Sequence, residues 1–215
     1  MQWTSAETGL SADTGLRRAT LAYTAWMAVW VPLIFVSYGP ENFLWTCNLA
    51  QFLILLALWT RNRLLLSSQV GTVLLVGVVW TPDFLLGLAS GGAWASFTNY
   101  MFDPELALAA RIASLYHIAL PVFLIWLALR VGYDRRGPWL QSALGLVVLP
   151  LTWLLTDPER NINWLSEPLG IEQVWMPDAV FVLLMMVLYP LLLFWPGHWL
   201  TVGILRVMRR SGRQR

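Results

Sequence analysis

Six stretches of the chain consist almost entirely of apolar residues, and more polar segments separate them. Each stretch has at least the roughly 17 residues that an α-helix needs to cross the hydrocarbon core of a bilayer. The pattern predicts an all-α membrane protein, a bundle of six transmembrane helices. The stretches cover residues 20–38, 43–60, 64–88, 112–130, 139–155 and 179–207.

The same pattern predicts how the chain is divided. We expect one transmembrane domain at 20–207, preceded by a cytoplasmic tail at 1–19 and followed by a basic cytoplasmic tail at 208–215. The first fifteen residues lack the basic start and the apolar region of a signal peptide. The sixth stretch exceeds the bilayer thickness and contains Pro190 and Pro196, where we expect kinks.

Composition excludes an ordinary soluble protein. Of the 215 residues, 58% are hydrophobic and only 12% are charged, whereas soluble domains carry about 25% charged residues. The net charge of +2 comes from arginines beside the apolar stretches rather than from one basic patch, so we expect no nucleic-acid partner. The single cysteine, Cys47, has no second cysteine with which to form an internal disulfide.

The arginines predict the orientation. Positive residues concentrate in the cytoplasmic loops of membrane proteins, and twelve of the fourteen arginines flank the two ends of the chain and the second and fourth connections. The other connections carry mostly Asp and Glu, with Arg111 and Arg160 as their only basic residues. We therefore expect a multi-pass protein of the cell membrane with both termini in the cytoplasm.

Ionisable and nucleophilic side chains inside apolar stretches are costly, so they indicate candidate functional sites. At a rise of ~1.5 Å per residue, Cys47, Asp83 and His117 lie roughly 6 to 9 Å below the external boundary. These three groups belong to three different predicted helices and share one layer.

The second predicted helix begins with a cluster of polar residues. Cys47 and Gln51 are four positions apart and share a face, while Thr46 and Asn48 project about 100° to either side of Cys47. Cys47 or Thr46 is a candidate nucleophile, and Asn48 and Gln51 are candidate supporting groups. The alternatives are that Cys47 is a small buried residue and that Thr46 and Asn48 form hydrogen bonds between helices.

His117 is the candidate general base, because its unperturbed pKa lies near neutrality. It precedes Pro121 by four residues, so its carbonyl loses the usual helical partner. Asp83 is expected either to orient the imidazole or to pair with Arg111.

Two polar segments are predicted above this layer, at 98–105 and 156–164. The second reads TDPERNINW, and it is either a solvated loop or a clamp for a lipid head group. Candidate ligand-binding residues on this side are Arg111, Asp157, Arg160, Asn161 and Asn163. His117 and His198 are predicted near opposite membrane faces, so we expect no metal site or haem between them, and we expect no other cofactor.

The stretch LWTCNLAQFLILLALWTRNR, followed by WTPD and LYHIALPVFLIWLAL, resembles the six-helix YwaF-like family and a transmembrane acyltransferase related to it. It is similar, more loosely, to the ADTRP-type transmembrane hydrolases of fatty-acid esters. The resemblance covers residues 43–129. It implies a six-helix fold and a working pair in which Cys47 matches the cysteine type, Thr46 the threonine type and His117 the histidine of either.

These observations lead to three functional hypotheses. The first is a lipid acyl hydrolase or acyltransferase, in which Cys47 or Thr46 attacks an ester of a membrane lipid and His117 is the base. The second is a non-catalytic subunit that joins partner subunits in a larger membrane complex, as the 14 tryptophans suggest. The third is a small transporter or proton path through Asp83, Arg111 and His117.

Overall fold

The computed structural model describes residues 10–213, and all regular elements in that part of the chain are helices. The predicted all-α class is confirmed. Short 3₁₀ turns occur in the connections, including Pro40–Leu44 and Ile162–Trp164. The α-helices are α1 Leu10–Tyr38, α2 Thr46–Thr60, α3 Arg63–Ala89, α4 Leu108–Ser114, α5 Tyr116–Val131, α6 Gly137–Leu155, α7 Asp178–Tyr189 and α8 Trp195–Arg213.

Within residues 10–213, five helical segments are long and apolar enough to cross a membrane, which makes the fold compatible with a membrane-spanning bundle. The second predicted stretch corresponds to α2, which has 15 residues and a length of ~22 Å, less than the ~30 Å of a bilayer core. The long segments are Thr14–Tyr38, Arg63–Ala89, Leu108–Val131, Gly137–Leu155 and Asp178–Ser211.

The helices depart from the predicted stretches at both ends of the chain. Helix α1 begins at Leu10, inside the predicted polar tail, and α8 continues to Arg213, inside the predicted basic tail. Residues 1–9 and 214–215 of those tails lie outside the described residues. The chain also passes from α7 to α8 without a break, because Pro190 begins a π-helical turn, Pro190–Phe194, that keeps the helix continuous.

Helix α3 is the centre of the bundle and packs against α2, α5, α6 and α8. Its contact with α8 depends on two glycines, since a Cβ atom at Gly71 would lie 2.9 Å from the backbone of Gly197. Small residues allow helix backbones to approach this closely in membrane bundles. The largest buried cluster lies among α1, α2, α3 and α5, and a smaller one joins α6 to α7.

Candidate functional site

The polar residues at the start of α2 mostly hold neighbouring helices together. Asn48 donates from Nδ2 to the Asn42 carbonyl at 2.8 Å and accepts the Tyr116 hydroxyl at 2.6 Å. Gln51 is fully buried, and its side-chain oxygen accepts the Trp26 indole N–H at 2.8 Å. These two predicted supporting residues therefore link α2 to α1 and α5.

Cys47 is half-buried, and its thiol lies beside the Tyr116 hydroxyl. Thr46 is buried, and its backbone N–H donates to Asn163 Oδ1 at 2.9 Å. Within residues 10–213, no hydrogen bond joins either candidate nucleophile to His117.

The geometry of α5 explains why Cys47 lies beside Tyr116 and is not hydrogen-bonded to His117. Consecutive helical residues project about 100° apart, so Tyr116 and His117 contact different residues of the neighbouring helices. Tyr116 packs edge-on against Trp30 of α1, with ring centroids 5.9 Å apart. His117 instead stacks on Trp80 of α3, with centroids 5.0 Å apart and an interplanar angle of 12°.

His117 belongs to a continuous column of aromatic rings. Next to Trp80 in the column is Phe84, with a centroid separation of 5.0 Å, and next to His117 is Tyr116, with a separation of 4.0 Å. The Trp80 indole N–H donates to the Tyr100 hydroxyl at 3.1 Å, so the segment between α3 and α4 fixes the column from outside the helices. Burial raises the pKa of Tyr100, which keeps this phenol protonated.

A break in the helix positions the imidazole. Helix α4 ends at Ser114 and α5 begins at Tyr116, and the Ser114 carbonyl accepts a hydrogen bond from His117 Nδ1 at 2.9 Å. Pro121, one turn after His117, and the His117 carbonyl both lie against Gly77 of α3. A Cβ atom at Gly77 would come 2.7 Å from that carbonyl. Gly77 therefore allows α3 to approach α5 at the irregular part of the helix.

A groove of about 300 Å³ runs along this seam. We call it the His117 groove. It opens at the surface of the bundle between Val78 and Ile118, which are 50% and 39% exposed. His117 and Thr81 are its only polar side chains. The lining consists of Leu74, Gly77, Val78, Thr81 and Pro82 of α3 and His117, Ile118 and Pro121 of α5.

His117 is 9% exposed, and within residues 10–213 its second ring nitrogen, Nε2, has no hydrogen-bond partner. Nε2 is not one of the fully enclosed unpaired atoms of the described residues, so it is accessible from the groove. An unpaired, accessible nitrogen in the wall of a largely apolar groove indicates ligand binding at this site.

Asp83 has partners other than the two that we expected. Its carboxylate accepts hydrogen bonds from the Thr98 backbone N–H at 2.9 Å and the Thr98 hydroxyl at 2.7 Å, and it also accepts the Ser96 N–H. Arg111 donates to the Met101 carbonyl at 3.3 Å. Asp83 and Arg111 thus fix the segment between α3 and α4 rather than pairing with each other or orienting the imidazole.

The candidate clamp at 157–164 forms a compact anchor. Asn163 is fully buried, donates from Nδ2 to the Leu44 carbonyl at 2.8 Å and to Thr152 Oγ1 at 3.1 Å, and accepts the Thr46 N–H. Asn161 accepts the N–H groups of Ser166 and Glu167 through its side-chain oxygen. Both asparagines adopt positive φ angles, which Asn tolerates better than most residues.

The two charged residues of this segment also make local contacts. Asp157 accepts the Glu159 N–H at 3.0 Å, and Arg160 donates to the Tyr38 carbonyl and forms an ion pair with Glu41 at 3.4 Å. Phe97, which directly precedes the first polar segment, contacts Trp164 of the second, with ring centroids 5.6 Å apart, so the two segments lie at the same end of the bundle.

Sequence reasoning missed the residues that surround His117. Trp80, Tyr100 and Tyr116 are three of many aromatic residues in the chain, and nothing in the sequence around them or around Gly77 distinguished them. One signal in the sequence could have indicated this contact. Gly77 and Pro121 lie on the two helices that carry Asp83 and His117, which are predicted at similar depth.

Among residues 10–213, no three His, Cys, Asp or Glu side chains form a group that could hold a metal ion. No protein-family model, curated protein or solved structure matches the chain.

Proposed function

We propose that the protein is a multi-pass cell-membrane protein with six spans and both termini in the cytoplasm. The arginine distribution supports this orientation. In this arrangement α2 is a short span, extended toward the outside by the 3₁₀ turn at Pro40–Leu44. A reporter that is active only in the cytoplasm, fused after Arg215, should be active, and one fused within 156–164 should be inactive.

We further propose that the protein binds one chain of a membrane lipid in the His117 groove without chemically changing it. The supporting observation is the unpaired Nε2 of His117 in a wall whose only other polar side chain is Thr81. Ligand sites are typically apolar clefts with a few polar groups that fix the orientation of the ligand.

The size of the groove limits what it holds. Its volume of about 300 Å³ lies at the lower end of the roughly 300–1,000 Å³ of typical ligand sites. The groove therefore accommodates only the part of one lipid chain that adjoins the lipid's polar group. The rest of the lipid stays in the bilayer.

Two tryptophan substitutions on one helix face test this binding. Ile118 lines the groove, and Val122, one turn further along α5, is 70% exposed and lies outside the lining. Ile118→Trp should fill the groove and abolish retention of a lipid in native mass spectrometry, and Val122→Trp should retain the lipid as the unmodified chain does. Equal retention by both variants would contradict the proposal.

The second candidate is acyl transfer at Cys47, which the half-buried thiol beside the Tyr116 hydroxyl favours. The deprotonated sulfur would attack an ester carbonyl, forming a thioester as the ester C–O bond breaks and the leaving oxygen takes a proton. Water or a second hydroxyl would then release the acyl group and restore the thiol. This candidate ranks second because the neighbours of the thiol are a phenol and the Asn48 amide, neither of which is a base at neutral pH.

The two candidates differ in their response to Cys47→Ala. Under acyl transfer, this variant loses all turnover of a lipid ester by the purified protein, and hydroxylamine releases an acyl group from the unmodified chain. Under lipid binding alone, the purified protein has no turnover, and Cys47→Ala retains the lipid.

A further inference from the structure

We infer that the ligand of the His117 groove is a membrane lipid with a free hydroxyl group, which donates a hydrogen bond to His117 Nε2. This inference rests on the proposed lipid binding and specifies its chemistry. It follows from the protonation state that the helix break imposes on the imidazole.

The first step is the position of the ring proton. Nδ1 lies 2.9 Å from the Ser114 carbonyl oxygen. A carbonyl oxygen only accepts hydrogen bonds, so Nδ1 must carry the proton. In a neutral imidazole the other nitrogen, Nε2, then has a lone pair and acts as an acceptor.

The second step is the charge of the ring. An isolated charge at membrane depth is expensive unless an opposite charge pairs with it. His117 makes no hydrogen bond or ion pair with any carboxylate in the described part of the chain, and its neighbours are Trp80, Tyr116 and the apolar groove. The imidazole is therefore neutral.

The third step is the chemistry of the ligand. A neutral ring with a lone pair facing an apolar site binds a group that donates a hydrogen bond. Ester and ether oxygens have no proton to donate, so they gain nothing from Nε2. A diacylglycerol or a long-chain alcohol has a hydroxyl next to an apolar chain. Its hydroxyl donates a hydrogen bond to Nε2, and its chain packs against the apolar lining of the groove. The Thr81 hydroxyl is a second polar contact in the lining.

Two substitutions of His117 test the roles of the two ring nitrogens separately. The amide nitrogen of Asn occupies the place of Nδ1, so His117→Asn keeps a donor for the Ser114 carbonyl and removes the acceptor. The side-chain amide of Gln reaches the place of Nε2, so His117→Gln keeps an acceptor for the ligand and removes the donor.

The probes are a diacylglycerol with a photoactivatable acyl chain and its O-methyl ether, each in phosphatidylcholine vesicles that contain the full-length protein. The hydroxyl probe should label the unmodified chain roughly fivefold more than the ether does, the ratio expected of one neutral hydrogen bond. His117→Asn should abolish this preference, and His117→Gln should keep it. A long-chain alcohol and its methyl ether, used in the same way, identify which source of hydroxyl the groove prefers.

The outcomes distinguish the two proposals. Equal labelling by both probes that Ile118→Trp blocks would overturn the hydroxyl inference and leave lipid binding intact. Labelling that Ile118→Trp does not reduce would overturn lipid binding itself. A preference that persists in His117→Asn would show that another group recognises the hydroxyl, and would also overturn the inference.

A spectroscopic measurement keeps the test independent of variant folding. In ¹⁵N-histidine-labelled protein in nanodiscs, the hydroxyl probe should shift the Nε2 resonance of His117 and leave that of Nδ1 nearly unchanged. The ether should shift neither. A spectrum with both nitrogens protonated before ligand is added would contradict the neutral ring.

Discussion

The start of α2 and the His117 segment of α5 carry polar side chains at similar depth, and the structure uses them differently. At the start of α2, Asn48 has partners for both ends of its amide, and the Thr46 N–H is paired with Asn163. In α5, His117 uses one nitrogen for the Ser114 carbonyl and leaves the other unpaired. A polar side chain within an apolar helix therefore does not by itself identify a binding site.

The difference between the regions lies in whether an unpaired polar atom can be reached by a ligand. In the α2 region both ends of the Asn48 amide have protein partners, and such side chains stabilise the packing of helices. Gln51 Nε2 has no hydrogen-bond partner, but it is fully buried, so no ligand reaches it. His117 Nε2 is unpaired and lies at a groove, so the His117 groove is the candidate site and the α2 region is structural.

The largest expected effect on stability is at Asn163, which pairs with the start of α2. Asn163→Ala removes partners from the Thr46 N–H, the Leu44 carbonyl and the Thr152 hydroxyl, and it replaces an Asn at a φ of 56°. We expect the free energy of unfolding to fall by about 2–4 kcal/mol, measured by thermal unfolding in detergent.

Asn99→Ala is the matched control, since Asn99 is exposed and surface substitutions usually stay within about 0.5 kcal/mol. A change of similar size in both variants would show that Asn163 is not the anchor of the 157–164 segment.

The second largest effect on stability is expected at Gly77, in the lining of the His117 groove. Gly77→Ala places a Cβ atom against Pro121 and the His117 carbonyl, and overpacking of this kind costs about 1–3 kcal/mol. We also expect lipid retention to fall, because α3 moves away from α5. Native mass spectrometry and thermal unfolding measure the two effects.

Gly203→Ala in α8 is the control for helix propensity, because nothing lies within 4 Å of a Cβ atom at that position. It should be neutral or slightly stabilising, by up to ~1 kcal/mol. If Gly77→Ala were equally well tolerated, the close contact of α3 with α5 at His117 would be refuted.

A smaller effect is expected where the connection between α3 and α4 meets the aromatic column. Tyr100→Phe removes the acceptor of the Trp80 indole N–H, which should cost about 1 kcal/mol. Trp80 should then be less firmly held against His117, so its fluorescence anisotropy should decrease. Unchanged stability and anisotropy would mean that this connection does not support the column.

The smallest effect is at the opposite end of the bundle and involves neither region. The Arg136 guanidinium, through its hydrogen bond to the side chain of Asp134, lowers the pKa of that carboxyl to about 2. Because this pKa lies below the unfolded value of 3.8, the charged carboxylate stabilises the fold above pH ~4 and that stabilisation is lost as the pH falls toward 2.

Arg136 is largely exposed, so solvent screens the ion pair and its contribution to stability should be small. The difference in unfolding free energy between the unmodified chain and Asp134→Asn should decrease from pH 5 to pH 2. A difference that grows with acidification would contradict the ion pair.

The fold class and the approximate positions of the long helices could be predicted, because length and hydrophobicity determine them. The break at Leu115 and the π-helical turn at Pro190 could be only partly anticipated from the prolines. The number of spans, the orientation, the partner subunits and the family resemblance stay predictions.

The candidate site was harder to predict, because sequence gives depth but not direction. Cys47 and His117 share a layer, yet the direction of His117 depends on its hydrogen bond to Ser114 and its stacking on Trp80. Asp83 and Asn163 have the composition of ligand-binding residues, but their partners are backbone groups far away in the sequence.

The most direct test of the comparison is one pair of variants with two readouts, stability and lipid retention per folded protein. Asn48→Ala should lower the unfolding temperature and leave lipid retention unchanged, because it removes contacts among helices. His117→Asn keeps a donor for the Ser114 carbonyl but loses the ring that stacks on Trp80, so it should lower the unfolding temperature less than Asn48→Ala does, and it should abolish the preference for the hydroxyl-bearing lipid. If both variants lost the same stability and both lost the lipid preference, or if the two responses were reversed, the distinction between a structural α2 region and a binding groove at His117 would be wrong.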